Sequence, residues 1–367
     1  MIIKEIRETV FTQGTTKYYV LDNGYKNWYI PKSCVKKGLD IFQAMPVKTR
    51  IGKTLFKKFH SISPIRKMFK AKVEELALTD EIKSIIEEYV KEDYCVAVYG
   101  GNWESVQNHK ITLQIYNEER IMLYIKMTKE KVVTEMLEQE IVAIEKLRAR
   151  NIVDLPMVID LINKNGWTYF VQEPSDRDYE TVREFSDFHL EKLKEINEAF
   201  AKDCSVEETD IDKLVSSEKA RDIKQDDEEL LSRAYSEVQK WIESDKVKVS
   251  FAHGDFTPWN VYMEKNNLYC FDLEYSQDKA TPFFDFFHFI CMYSIVAKKS
   301  KVTYIREKYN EYFDQINEMT DARMAFMAYL VYIINFYFSR TDDTYDTDRT
   351  QYQVRIEMLK TLMEEKR

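Results

Sequence analysis

The sequence predicts an α+β fold in which most strands precede most helices. Alternating apolar and polar runs between residues 94 and 172 are typical of antiparallel strands, and helical spacing dominates after residue 175. A composition of 44% hydrophobic and 32% charged residues excludes collagen-like and extended disordered chains. With 367 residues, the chain is long enough for two or three compact domains.

Residues 1–92 predict an accessory module that begins with a β hairpin. Two aromatic strands are expected over 17–31, because an Asn23-Gly24 pair between alternating segments is typical of a hairpin turn. The stretch 47–73 then carries nine Lys or Arg residues and no acidic residue. Its partly helical apolar spacing favours a helix that packs one stripe on the next domain, with a weak contact to an anionic membrane surface as the alternative.

Residues 93–174 predict a small lobe of strands with one helix. Strand patterns cover, in order, residues 94–99, 110–116, 121–127 and 167–172. Apolar residues at helical spacing predict a helix over 132–150. Residues 175–367 predict a mainly helical lobe, which contains two short strands at 261–263 and 268–271. An acidic stretch at 203–229 predicts a solvated excursion or a poorly ordered insertion.

The cysteines and the charge pattern exclude several classes of protein. Five cysteines, at residues 34, 95, 204, 270 and 291, show no paired short spacing, so no disulfide framework and no structural zinc site are expected. The charged N-terminal residues are unlike a signal peptide, and the longest apolar stretch is too short for a transmembrane segment. We therefore expect a cytoplasmic, reduced protein. A net charge of −9 gives no global attraction for nucleic acid.

The most informative segment is His253-Gly254-Asp255-Phe256-Thr257-Pro258-Trp259-Asn260, which Asp272 follows after a short hairpin pattern. Phosphoryl transfer from a nucleotide needs a carboxylate that orients and deprotonates the attacking hydroxyl, and oxygen ligands that hold Mg²⁺ on the phosphates. Asp255 suits the first role. Two short strands that turn at Asn266-Asn267 would return Asp272 to the side of Asn260. Asp255, Asn260 and Asp272 would then be three oxygen donors among aromatic residues. Burying them without a ligand costs free energy, which favours a functional site.

This pattern resembles the catalytic and metal-binding loops of the aminoglycoside phosphotransferase and choline kinase family, small-molecule relatives of the protein kinases. The resemblance covers the chain from residue 93 onwards and implies a two-lobed, protein-kinase-like fold. It implies that Asp255 is the catalytic base, that Asn260 and Asp272 bind Mg²⁺, and that His253 braces the loop. Asp285 matches the acid that supports the catalytic loop from beneath in this family.

The same resemblance implies a nucleotide site. Lys126 stands where the family has the lysine that holds the nucleotide phosphates, with Glu140 as its ion-pair partner and Glu135 as the competitor. Alone, Lys126 would be interpreted as a surface lysine, and the Gly100-Gly101 pair as an ordinary turn. The other implied nucleotide-binding residues are the loop glycines Gly100 and Gly101, the hinge residues Gln172 and Glu173, and the apolar walls Met263 and Phe271.

The expected function is transfer of the γ-phosphoryl group of ATP or GTP to a hydroxyl of a small molecule. One alternative is a sugar or lipid-linked glycan kinase of envelope biosynthesis, for which residues 47–73 would contact an anionic surface. Another is a catalytically silent nucleotide-binding scaffold, although a binding module has no need of the base Asp255. Four aspartates between residues 342 and 348 either form a solvated loop, the favoured interpretation, or meet an amine-bearing acceptor.

Overall fold

The computed structural model describes twelve stretches of the chain, namely residues 2–24, 26–41, 47–101, 106–152, 154–174, 180–181, 184–203, 225–245, 247–264, 267–297, 301–340 and 350–365. The four aspartates between 342 and 348, and most of the acidic stretch 203–229, lie outside them. In the described stretches, no helix combines the length and the apolar character that a membrane crossing requires. The chain divides into two compact units, residues 1–138 with 156–176, and residues 139–155 with 177–367.

The first unit is built on one eight-stranded antiparallel sheet. Its strands are β1 (Phe11–Asp22), β2 (Asn27–Pro31), β3 (Lys72–Leu78), β4 (Cys95–Gly100), β5 (Ile111–Tyr116), β6 (Ile121–Thr128), β7 (Val158–Lys164) and β8 (Trp167–Gln172). They follow the order β3-β1-β2-β4-β5-β6-β8-β7. Side chains alternate between the two faces of a strand, and accordingly Tyr18 and Val20 enter one apolar core while Tyr19 enters the other.

Helices complete the first unit. They are α1 (Ile2–Thr9), α2 (Val35–Gly38), α3 (Val47–Phe59), α4 (Ser63–Met68) and α5 (Asp80–Tyr89), with short 3-10 helices at Lys32–Cys34, Leu39–Ile41 and Val106–Asn108. Helix α6 (Lys131–Arg148) begins in the first unit and ends in the second.

The predicted α+β class is confirmed, and so is the N-terminal hairpin, in which β1 and β2 pair from Tyr18 with Pro31 to Asp22 with Asn27. Strand β2 also pairs with β4, so residues 1–92 and 93–174 share one sheet. The boundaries at residues 92 and 174 stay a prediction. The sequence analysis missed β3 and β7, which are the two edge strands and bury few of their side chains, so that their hydrophobic signal is weak.

The structure contradicts the expectation of reduced cysteines at one pair. Cys34 and Cys95 form a disulfide, with their Cα atoms 6.7 Å apart. Cys34 follows β2 and Cys95 begins β4, and the pairing of these two strands brings together residues that are 61 positions apart. Sequence spacing alone does not show such a contact. Cys270 and Cys291 are buried thiols.

The second unit is mainly helical. Its helices are the end of α6 and α7 (Asp187–Phe200), α8 (Gln225–Asp245), α9 (Phe284–Ala297), α10 (Val302–Asn317), α11 (Ala322–Arg340) and α12 (Thr350–Glu364). Six short strands accompany them, namely β9 (Glu180–Thr181), β10 (Lys202–Asp203), β11 (Lys248–Ala252), β12 (Val261–Glu264), β13 (Asn267–Cys270) and β14 (Gln277–Ala280). Helix α9 is buried from Phe284 to Ser294, which makes it the central helix of this unit.

Candidate active site

The loop from His253 to Asn260 connects β11 to β12 and depends on Gly254. This glycine has φ of +82°, and a Cβ at its position would lie 1.9 Å from the backbone oxygen of Tyr275. Glycine alone fits such a turn and such an approach. The segment that follows Asp272 therefore packs directly against the loop.

Asp285, at the start of α9, holds this loop from the helical core. Its carboxylate accepts hydrogen bonds from the backbone N–H groups of His253, at 2.8 Å, and Gly254, at 3.0 Å. Burial raises the pKa of Asp285 to about 7, and the two hydrogen bonds oppose this shift. The carboxylate of Asp285 thus ties the start of the loop to α9.

His253 links the loop to the end of the β12–β13 hairpin. Its Nε2 donates to the backbone oxygen of Phe271 at 3.1 Å, and its Nδ1 accepts from the backbone N–H of Asp255 at 3.3 Å. Burial lowers the pKa of His253, which favours the neutral ring that this pattern requires. Because both ring nitrogens are engaged, the side chain is placed to brace the loop.

Asp255 is partly exposed, and each of its carboxylate oxygens is held. Asn260 Nδ2 donates to Oδ2 at 2.7 Å and to the backbone oxygen of Asp255 at 3.1 Å. His288 Nε2 lies 3.0 Å from Oδ1. An ionised carboxylate only accepts hydrogen bonds, so the histidine donates. The carboxylate is thus fixed in orientation.

His288 is a residue of this site that the sequence analysis missed. It is buried on α9, one turn after Asp285, and its Nδ1 lies 3.3 Å from the phenol oxygen of Tyr329 on α11. Burial raises the pKa of Tyr329 well above its usual value, so the phenol stays protonated. The sequence does offer a signal for His288, because residues three apart on a helix share a face and Asp285 is a candidate site residue.

Asn260 and Asp272 are brought together by the predicted hairpin, which is confirmed. Val261 pairs with Cys270, and the N–H of Phe271 donates to the backbone oxygen of Asn260 at 3.1 Å. Asp272 has φ of +60°, a conformation rarely adopted outside glycine that recurs at functional sites.

The oxygen atoms of Asn260 and Asp272 suit a magnesium ion. Asn260 Nδ2 donates to two oxygens of Asp255, so that the amide oxygen Oδ1 of Asn260 remains to accept a cation. Among the described residues, no three His, Cys, Asp or Glu side chains cluster as a metal site. Two protein oxygens are what Mg²⁺ commonly takes when nucleotide phosphates and water complete its coordination.

Lys126 lies in the first unit, on β6, where it pairs with Thr112 and Phe170 of the neighbouring strands. Its Nζ lies 5.6 Å from the centre of the Phe170 ring. The side chain is buried, which is rare for lysine and argues against an ordinary surface position.

The other predicted nucleotide residues of the first unit lie at strand ends. Gly100 ends β4 and Gly101 follows it, while residues 102–105 of the same turn lie outside the described stretches. Gln172 ends β8, and the N–H of Glu173 donates to the backbone oxygen of Met157 at 2.9 Å.

The second unit contains the remaining predicted nucleotide residues. Glu140 on α6 is fully buried, whereas Glu135 on the same helix is exposed and forms an ion pair with Lys131 at 3.4 Å. This difference favours Glu140 over its competitor, because a carboxylate is buried only with compensation. Met263 lies on β12, and Phe271, which follows β13, packs its ring 4.9 Å from that of Tyr262.

No family model and no curated protein sequence matches this chain. Solved structures do match it. A thermostable mutant of aminoglycoside phosphotransferase APH(4)-Ia is 10% identical, with a TM-score of 0.49, over 76% of this chain and 97% of that chain. The structures named here are those of phosphotransferases and kinases.

Two further examples extend the comparison. An amicoumacin kinase in complex with AMP-PNP and Ca²⁺ is 10% identical, with a TM-score of 0.45, over 77% of this chain and 94% of that chain. A putative fructosamine-3-kinase from Haemophilus somnus 129PT is 13% identical, with a TM-score of 0.45, over 77% of this chain and 96% of that chain.

Proposed function

We propose that this protein is a kinase that transfers the γ-phosphoryl group of ATP or GTP to a hydroxyl of a small molecule. The observation that carries the proposal is the arrangement around Asp255. A partly exposed carboxylate has both oxygens held by buried donors, next to a hairpin that presents Asn260 and Asp272.

In this proposal Asp255 is the catalytic base. It orients the acceptor hydroxyl and takes its proton as the phosphoryl group is transferred. The hydrogen bonds from Asn260 and His288 each hold one oxygen of the carboxylate and so restrict its rotation. His253 and Asp285 keep the loop backbone in place and do not touch the acceptor.

Asn260 and Asp272 would hold Mg²⁺, which neutralises the charge of the phosphates when it is bound. In the protein itself, the hairpin fixes the spacing of these two residues. Lys126 would bind the phosphates with Glu140 as its partner, and Gly100 and Gly101 would cover them. The remaining proposed contacts to the base are the backbone of Gln172 and Glu173 and the side chains of Met263 and Phe271.

A sugar or lipid-linked glycan kinase is the second candidate, and the exposed basic and apolar surface over residues 47–69, described below, favours it. A silent nucleotide-binding scaffold is the third. A protein that only binds nucleotide does not need a carboxylate with both oxygens held in place, as those of Asp255 are.

The deciding experiment measures ADP or GDP release with Mg²⁺ and a panel of hydroxyl acceptors, namely aminoglycosides, choline, nucleosides and sugars. We expect one acceptor class to stimulate release by the wild-type protein and not by Asp255→Asn. Nucleotide binding without stimulation by any of these acceptors would support the scaffold.

A further inference from the structure

Helix α3 carries two apolar stripes, and one of them faces the sheet. Phe56 is 2% exposed and packs edge-on against Tyr19, at 5.5 Å between ring centres, and against Phe69, at 5.2 Å. This stripe accounts for the packing that the helical spacing predicts. It does not account for the apolar residues on the other side of the helix.

The second stripe faces solvent. Ile51, Leu55 and Phe59 are spaced four residues apart and are 56%, 36% and 36% exposed. Ile62 and Met68, at 47% and 58%, extend the stripe to α4. Among the described residues, six of the eleven exposed large hydrophobic side chains fall between residues 51 and 73. Exposed apolar groups concentrated in this way mark an interaction surface.

The charged residues within this segment of the chain are all positive. Residues 47–73 hold nine Lys or Arg residues and no Asp or Glu, in a chain of net charge −9. Asp40 takes up two of the cations, since Lys57 lies 2.5 Å and Lys53 3.9 Å from its carboxylate. Within the described stretches, no acidic side chain forms an ion pair with Lys48, Lys58 or Lys67.

We propose that this surface, formed by α3 and α4 over residues 47–69, docks on an anionic lipid bilayer. Ile51, Leu55 and Phe59 enter the interface between headgroups and acyl chains, and the lysines contact the lipid phosphates. Nucleic acid fits the charge but offers no apolar layer along its phosphate backbone. The kinase would then bind its acceptor at a membrane surface. The docking itself does not depend on the kinase activity.

The test is co-sedimentation of the full chain with phosphatidylcholine vesicles that contain or lack phosphatidylglycerol. We expect binding only to the anionic vesicles. The variant Ile51→Ser, Leu55→Ser, Phe59→Ser should weaken it at least about tenfold, because three partly inserted side chains are lost. A matched control replaces apolar residues of similar exposure elsewhere, Val142→Ser, Val296→Ser, Met319→Ser, and should bind as the wild type does.

A second variant tests the charges without touching the apolar stripe. Lys48→Gln, Lys58→Gln, Lys67→Gln should weaken binding and flatten its dependence on salt. Equal binding to neutral and anionic vesicles, or an unchanged affinity of the serine variant, would overturn the proposal. Retention by DNA or by an acidic protein in the absence of vesicle binding would overturn it as well.

A different observation carries a second inference, which rests on the proposed function. We infer that His288 is a positioning residue for the base. Its Nε2–H holds Asp255 Oδ1, and Tyr329 in turn holds the ring. Asn260 and His288 each hold one carboxylate oxygen of Asp255, so loss of His288 frees the rotation of the carboxylate. Loss of orientation reduces turnover more than ground-state binding.

Steady-state kinetics of His288→Ala, His288→Gln and Asp255→Asn test this role. We expect kcat of His288→Ala to fall by roughly tenfold or more with the KM for nucleotide unchanged, and His288→Gln, which keeps an N–H donor, to recover part of it. If Asp255→Asn is inactive and His288→Ala is fully active, the role of His288 is refuted and the proposed function stands. If Asp255→Asn keeps full turnover, the proposed function itself fails.

Discussion

Gly254 and the backbone oxygen of Tyr275 lie so close that a single methyl group does not fit between them. A Cβ at position 254 would stand 1.9 Å from that oxygen. The contact joins the loop of Asp255 to the segment that follows Asp272, so the two halves of the candidate site share one steric constraint.

The first prediction follows from this contact. Gly254→Ala should destabilise the protein by more than the 1–2 kcal/mol, roughly, that a left-handed φ costs an alanine, because the backbone must also move. Gly166→Ala is the matched control, since Gly166 has φ of +77° with nothing within 4 Å of its Cβ position. Urea unfolding of both variants measures the difference. Equal losses of unfolding free energy in the two variants would show that the loop accommodates the extra methyl group at no further cost in stability.

The second prediction concerns the base. Asp255→Asn keeps the size and polarity of the side chain but removes the proton acceptor, so turnover should fall by roughly two orders of magnitude or more. Nucleotide affinity should persist. Asp314→Asn, an exposed position on α10, serves as the control. Kinetics and calorimetry together check both parts, and near-normal turnover in a folded Asp255→Asn protein would refute the assignment.

The third prediction concerns the metal. Asp272→Ala should abolish Mg²⁺-dependent nucleotide binding, because the anionic ligand between protein and phosphates is lost. Chelation of Mg²⁺ by EDTA should have the same effect on the wild-type protein. Isothermal titration with MgATP measures both. An unchanged affinity of the variant would make Asp272 a structural acid.

The fourth prediction uses the titration of Asp285. Burial raises its pKa from 3.8 to about 7, so the folded protein binds the proton more tightly than the unfolded chain does. The free energy of unfolding that this group contributes therefore falls as the pH rises from about 4 to 7, and levels off above that. Between pH 6 and pH 8 the change is about 1 kcal/mol.

The variant Asp285→Asn has no such proton to lose. Between pH 6 and pH 8, its free energy of unfolding should increase by about 1 kcal/mol relative to that of the wild type. Both proteins are measured free of nucleotide and metal. Thermal or urea unfolding of both proteins at the two pH values gives the comparison. A constant difference between them would show that Asp285 does not titrate in this range.

Local patterns in the sequence were sufficient for much of this protein. The pair Asn23-Gly24 predicted the hairpin of β1 and β2, and the runs around residue 266 predicted the hairpin that returns Asp272 to Asn260. These features depend on residues close along the chain, where alternation and turn chemistry act directly. The pattern from His253 to Asn260 likewise located the candidate site, although the roles of its residues stay a proposal.

Only the tertiary structure decided which distant residues meet. Strand pairing places residues 1–92 and 93–174 in one sheet. The same pairing brings Cys34 and Cys95 together as a disulfide. The packing of α9 placed His288 against Asp255, and the folding of α3 on the sheet left Ile51 outside. Each of these contacts is set by the sum of packing over whole elements, and periodicity within one element identifies an apolar face without identifying what covers it.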